Sequence, residues 1–196
     1  MTARTVAGRV LSINVGTPVE AAWAGRLGRT AINRSPVSGP VRVGPGGLEG
    51  DAVADTKRHG GPFKAVYAFA AEDLAFWSEE LQAPLSPGQF GENLTTEGID
   101  VNQAVLGERW RIGTALLEPV DVRIPCHVFT AWLGVAGIHA SGWVKRFTRE
   151  SRPGPYLRVL EEGWMRAGDR ITVEHRPSHG VTVAMMFRAL TTEPDA

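Results

Sequence analysis

The residues with the widest chemical scope lie in four short stretches. Arg123-Ile-Pro-Cys126-His127 holds the only cysteine of the chain. A thiol beside a guanidinium and an imidazole has the surroundings that favour a thiolate, the form that attacks electrophiles and ligates soft metals. Side chains alternate along a strand, so sequence neighbours need not share a face, and a small inert core residue is the competing reading. A second stretch runs Gly47-Leu-Glu-Gly50-Asp51, then Asp55, then Arg58-His59-Gly60-Gly61-Pro-Phe-Lys64. Glycines let backbone N–H groups close around an anion. Lys64 adds a point charge that Arg58 can assist. A solvated turn between two strands explains the same residues. The stretch is not a P-loop, and Gly44, Gly46 and Gly50 miss the dinucleotide spacing by one residue. In the third, Pro87-Gly88-Gln-Phe90-Gly91-Glu92-Asn93-Leu94-Thr95-Thr96-Glu97-Gly98, glycines, an amide and two hydroxyls suit a heteroaromatic ligand. A turn followed by an edge strand accounts for them equally. The fourth, Leu106 to Gly113 and on to Glu118, reads as one strand turning into another.

These stretches need elements to hold them. Val6–Val15 reads as the first strand, with short strands at Thr30–Asn33 and Val41–Val43 and a buried one at Lys64–Ala70. Further strands are expected at Arg109–Ile112, Ala115–Val120, Tyr156–Glu161 and Arg170–His175. Leu74, Trp77 and Leu81 recur at helical spacing, which predicts a helix over Ala71–Gln82 that Pro84 ends. A second helix is expected over Ser141–Glu150. The tail Gly180–Leu190 reads as a short helix capped by Thr182, with Met185, Met186 and Leu190 docking on the rest. Strands outnumber helices and βαβ alternation is not apparent, so an antiparallel-rich, mainly β barrel with a few covering helices is expected.

Composition bounds the rest. The 196 residues suit one domain with a short appendage, drawn at 1–176 and 177–196. With 21 basic and 21 acidic side chains, no basic surplus marks a nucleic-acid binder. No apolar run is long enough to span a membrane. The first fifteen residues lack a signal-peptide core, so a cytoplasmic location is expected. One cysteine excludes an internal disulfide and a cysteine-rich zinc or iron–sulfur site. His175 and His179 have Pro177 between them and cannot form a helical metal-binding pair. The sequence leaves the oligomeric state open, a homodimer included.

Taken together, the stretches resemble the MOSC domain family, and most closely its small bacterial branch that confers resistance to 6-N-hydroxylaminopurine. The residues that carry the resemblance are G-L-E-G-D-x-x-x-D-x-x-x-H-G-G-x-x-K-A-V (Gly47 to Val66), F-G-E-N-L-T-T-E-G (Phe90 to Gly98), G-x-R-W-R-I-G (Gly107 to Gly113) and R-I-P-C (Arg123 to Cys126). Trp143, Phe147, Gly154, Tyr156 and Gly168-Asp169 also fit. The resemblance implies a β-barrel like the small barrel domain of pyruvate kinase and a molybdenum–molybdopterin cofactor with Cys126 as the metal's ligand. It implies that Arg58, Gly60, Gly61, Lys64, Asn93, Leu94, Thr95, Thr96 and Arg123 hold cofactor or substrate. His59 or Asp55 would relay protons, the histidine because an ordinary imidazole titrates near neutrality. The implied activity is reduction of N-hydroxylated bases or related small molecules. One cysteine and the lack of a flavin or nicotinamide fingerprint then require an external flavin or haem reductase as electron donor. Two other functions fit the same resemblance. One is a sulfur carrier with a persulfide on Cys126; the other is a haem- or small-molecule-binding pathway protein.

Overall fold

The computed structural model describes residues 5–57 and 59–192; Arg58 and the last four residues, both covered by the expectations above, lie outside it. In chain order the elements are β1 (Thr5–Val15), β2 (Val19–Glu20), β3 (Arg29–Thr30), β4 (Ser35–Pro36), β5 (Val41–Gly44), β6 (Gly47–Leu48), β7 (Val66–Ala70), α1 (Ala71–Leu81), β8 (Leu94–Glu97), β9 (Arg109–Ile112) and β10 (Ala115–Val122). There follow α2 (His127–Val135), α3 (Trp143–Glu150), β11 (Pro155–Glu161), β12 (Gly163–Met165), β13 (Arg170–His175) and α4 (Val183–Thr191).

Seven of the described strands close a mainly β barrel in the order β13, β9, β10, β11, β7, β8, β1 and back to β13. Closure removes the free edges that would otherwise invite strand pairing with other chains. The strand β1 is long enough to pair with β13 through its first half and β8 through its second. Register shifts at Val6/Gly8 and Val10/Ser12 bend it between the two partners. Period-two burial marks the inward faces, as with Trp110 and Ile112 in β9 and Ile171 and Val173 in β13.

Two expectations are corrected here. The segment after Asn93 is not an edge strand: β8 lies between β7 and β1, parallel to the first and antiparallel to the second. Because β7 and β8 are parallel with α1 between them, one βαβ unit exists after all. Helix α2 was also absent from the sequence-based assignment.

The helices cover one side of the barrel through an aromatic cluster. Trp77 of α1 and Trp143 of α3 sit 4.7 Å apart by ring centroid, and Phe90, Phe129, Phe147 and Phe187 complete the cluster. Each ring buries a large apolar area, and tilted or stacked pairs add to that. Thr182 caps α4 by accepting the Met185 N–H at 3.2 Å. The docking face is not the expected one: Val183, Ala184 and Phe187 are buried, while Met185 and Leu190 are exposed and Met186 packs at the margin.

Candidate functional site

The run-out of β10 carries Arg123, Ile124 and Pro125 to Cys126, the residue at the N-terminal boundary of α2. Its thiol makes no capping hydrogen bond. It is a free, half-buried cysteine that opens into a cavity of about 470 Å³. Asp55, His59, Gly60, Gly61, Lys64, Asn93 and Arg123 line the same cavity. The start of α2 adds positive potential at this corner. His127 is exposed and is not part of the lining, so the imidazole expected beside the thiol is turned away.

Arg123 is 9% exposed. Its Nη1 donates to the Tyr156 hydroxyl at 3.1 Å, and its guanidinium lies 5.3 Å from the Tyr67 ring centroid. No carboxylate among the described residues pairs with it. Burial opposes the charge, but the surrounding Tyr156, Tyr67 and Cys126 raise its pKa above that of an ordinary arginine. With no carboxylate among the described residues to pair with it, this buried cation suits the cavity to a bound anion.

The two tyrosines face each other across β7 and β11, where Tyr67 and Tyr156 are register partners. Tyr156 is a hub: its hydroxyl also lies 3.2 Å from His59 Nδ1, and Lys64 Nζ sits 5.4 Å from its ring centroid. Lys64 is also 3.5 Å from Asp121 Oδ2. His59 is held at a pKa of about 4, lowered by burial first and then by Arg123 and Lys64, with Asp55 opposing. The imidazole is therefore neutral at neutral pH, which corrects the expectation that it titrates there. Arginine can only donate, so the Tyr156 oxygen accepts from Arg123; with the Tyr156 hydroxyl donating to His59 Nδ1, the imidazole proton sits on Nε2. Gly60 and Gly61 both have φ of +78°, a backbone that side-chain-bearing residues rarely adopt.

The Asn-Leu-Thr-Thr stretch is used differently from the expectation. Asn93 lines the cavity, but its amide is spent. Oδ1 accepts the Tyr67 N–H at 3.1 Å, and Nδ2 donates to Asn14 O at 3.3 Å and Asp51 Oδ2 at 3.0 Å. Leu94, Thr95 and Thr96 are fully buried and do not line the cavity. Thr95 donates to Glu92 at 2.8 Å and accepts from Asn14 at 3.0 Å. Glu92 itself is fully buried; burial pushes its pKa up to about 7 against hydrogen bonds from Gly88, Phe90 and Thr95. The stretch is thus a scaffold for the cavity wall.

Three residues without a sequence-based role, beside Gly88 of the third stretch, complete the site. Arg34 binds Asp51 with two parallel hydrogen bonds of 2.9 and 2.8 Å and donates to Gly91 O at 2.6 Å. Gly88, at φ +86°, lets the neighbouring loop close on this strut; a Cβ there would lie 2.3 Å from Arg34 O. Tyr67 and Tyr156 are the other two. Tyr67 carried no signal beyond its place in a buried strand, Tyr156 only its place in the Gly154–Tyr156 segment that fits the family pattern, and nothing in the sequence joins Arg34 to an aspartate 17 positions away.

A family model described as MOSC domain matches residues 55–172. The uncharacterized protein YflK of Bacillus subtilis is 34% identical over 179 residues, covering 91% of this chain and 79% of that one. A Gibberella moniliformis protein named Reductase is 29% identical, covering 87% of this chain and 30% of that protein. The crystal structure of YiiM from Geobacillus stearothermophilus matches with a TM-score of 0.77 at 27% identity, covering 96% of this chain and 86% of that one.

Proposed function

Because this chain belongs to the MOSC domain family, we propose that its cavity binds the molybdenum cofactor and that the protein reduces N-hydroxylated bases or related small molecules. The observation that carries the reading is that the lone thiol and a buried, carboxylate-free arginine open into one cavity. The donor set supports it. Among the described residues no group of three His, Cys, Asp or Glu side chains could hold a bare metal ion. A single soft thiol among cations instead suits a metal that arrives with soft, anionic ligands of its own. Cys126 would be the protein ligand, Arg123 and Lys64 would hold the anionic groups, and the Gly60–Gly61 turn would lie against the ring system. The similarity to a protein named Reductase points the same way.

When bound, the cofactor supplies the two-electron change that reducing an N–OH group requires. The chain's own residues orient and donate. Neutral His59, its Nδ1 engaged by Tyr156, presents Nε2–H as a hydrogen-bond donor without adding a charge. Tyr156 links that donor to the Arg123 cation and so fixes the ring's orientation. The backbone carbonyl of Asp55 accepts the His59 backbone N–H at 2.9 Å and holds the turn. Electrons come from an external flavin or haem reductase.

The test is reconstitution. Holoprotein with a reductase and an N-hydroxylated purine should turn over, holoprotein with NADPH alone should not, and Cys126→Ala should abolish turnover while circular dichroism stays unchanged. Full activity in that variant would remove the reading.

A further inference from the structure

The described lining of the cavity carries five cationic side chains against two carboxylates, in a chain whose charges balance overall. Three cations have work already: Arg34 is clamped by Asp51, Lys64 lies near Asp121, and Arg123 is the buried charge beside Cys126. Arg26 and Arg29 differ. Both line the cavity, both are exposed, and neither makes an ion pair or side-chain hydrogen bond with a described residue. Glu20 is the cross-strand partner of Arg29 in the β2–β3 hairpin, yet it is exposed and forms no ion pair with it.

Their placement is fixed. The hairpin is closed by the Ala21 N–H to Gly28 O bond of 2.8 Å, and Gly25 and Gly28 turn its tip through positive φ. Trp23 of the tip stacks on Trp132 of α2, with ring centroids 6.0 Å apart, which ties the tip to the helix that begins at Cys126. Buried Thr30, Ala31 and Ile32 then run along the cavity to Arg34. The cavity is thus lined by buried Arg123, by half-buried Cys126 and His59, and at its exposed positions by two unpaired guanidinium groups.

We propose that Arg26 and Arg29 bind a phosphate monoester at these exposed positions, so that the substrate is an N-hydroxylated base carried as a nucleoside phosphate. The proposal deepens the function above and rests on it. Two cations match the nearly double charge of a phosphate monoester at neutral pH, where a carboxylate brings only one. Guanidinium forks suit its oxygens. The same phosphate chemistry could come from the cofactor, so the test must distinguish the two.

The variant is Arg26→Ala with Arg29→Ala, both exposed positions that leave the fold intact. Calorimetric titration of holoprotein with adenosine monophosphate and with adenosine reads binding directly. The parent should bind the phosphate form about tenfold more tightly, and the double variant should bind the two alike. Molybdenum content should be unchanged in the variant. With a reductase, kcat/KM should favour the N-hydroxylated nucleoside monophosphate over the nucleoside by about tenfold in the parent only. Equal binding by the parent, or a preference that survives in the variant, overturns the proposal. So does loss of molybdenum from the variant, which would assign the arginines to the cofactor. Arginine-dependent phosphate binding without any turnover supports the arm and counts against the reductase reading alone.

Discussion

Asp51→Ala tests whether the cavity wall depends on one buried junction. The Asp51 carboxylate accepts from the Gly16 N–H at 2.8 Å, Arg34 Nε at 2.9 Å, Arg34 Nη2 at 2.8 Å and Asn93 Nδ2 at 3.0 Å. The two charged side chains are only 11% and 7% exposed. Removing the carboxylate leaves the Arg34 cation with Gly91 O as its remaining partner, orphans the Gly16 N–H, and leaves Asn93 Nδ2 with only the 3.3 Å bond to Asn14 O. Breaking a buried pair from one side costs about 3–5 kcal/mol. Since Arg34 keeps some access to water, the lower part of that range, about 3–4 kcal/mol, is expected. For a chain near 200 residues this corresponds to a fall in Tm of about 10 °C. Urea unfolding followed by tryptophan fluorescence reads the energy, and a thermal melt reads the shift. Arg34→Met should cost less, because Asp51 keeps two donors. Arg34→Met combined with Asp51→Leu should recover part of the loss, with coupling on the order of 2 kcal/mol. A loss below about 1 kcal/mol for Asp51→Ala, or strict additivity, would refute the reasoning.

Other outcomes follow from the same geometry. Glu92 and His59 give opposing pH dependences in the cofactor-free chain. Glu92 holds its proton up to about pH 7 when folded but only to about 4.5 when unfolded, so its contribution to stability falls as pH rises through that window. His59 resists protonation down to about pH 4 when folded but gains a proton near 6.5 when unfolded, so its contribution rises with pH. Relative to the parent, Glu92→Gln should steepen the rise of stability with pH, and His59→Gln should do the reverse, each by on the order of 1 kcal/mol per pH unit. Identical slopes in denaturation curves from pH 4.5 to 6.5 would contradict both assignments. At the C-terminal helix, Phe187→Ala should cost about 3–5 kcal/mol in urea unfolding, whereas Met185→Ala and Leu190→Ala should stay within about 0.5 kcal/mol. A large effect at either exposed position would restore the sequence-based docking face.

What the sequence made legible was local. Alternation in Arg109–Ile112 and Arg170–His175, and Leu74, Trp77 and Leu81 at helical spacing, identify their elements because the period is written in neighbouring residues. The position of β8 was not legible, since its neighbours β7 and β1 lie far away in sequence. Helix α2 hides because HVFTAWLGV is apolar almost throughout and carries β-branched and aromatic residues, so Phe129 and Leu133 do not stand out as a stripe. In α4 the buried face is Val183, Ala184 and Phe187, a phase error of the helix and not of its existence. At the site, the motifs showed which donors exist but not how many are consumed. Asn93 and Thr95 look like ligand contacts until their partners Asp51, Asn14 and Glu92 are seen. The neutrality of His59 is likewise a product of burial and of two cations brought from other segments.

The most direct measurement is metal stoichiometry. Protein purified from a host that makes the molybdenum cofactor should contain about one molybdenum per chain by elemental analysis, and Cys126→Ser should lose most of it while keeping the cofactor-free parent's unfolding free energy to within about 1 kcal/mol. Protein that carries a sulfane adduct on Cys126 and no molybdenum, or a serine variant that retains full metal, would contradict the account.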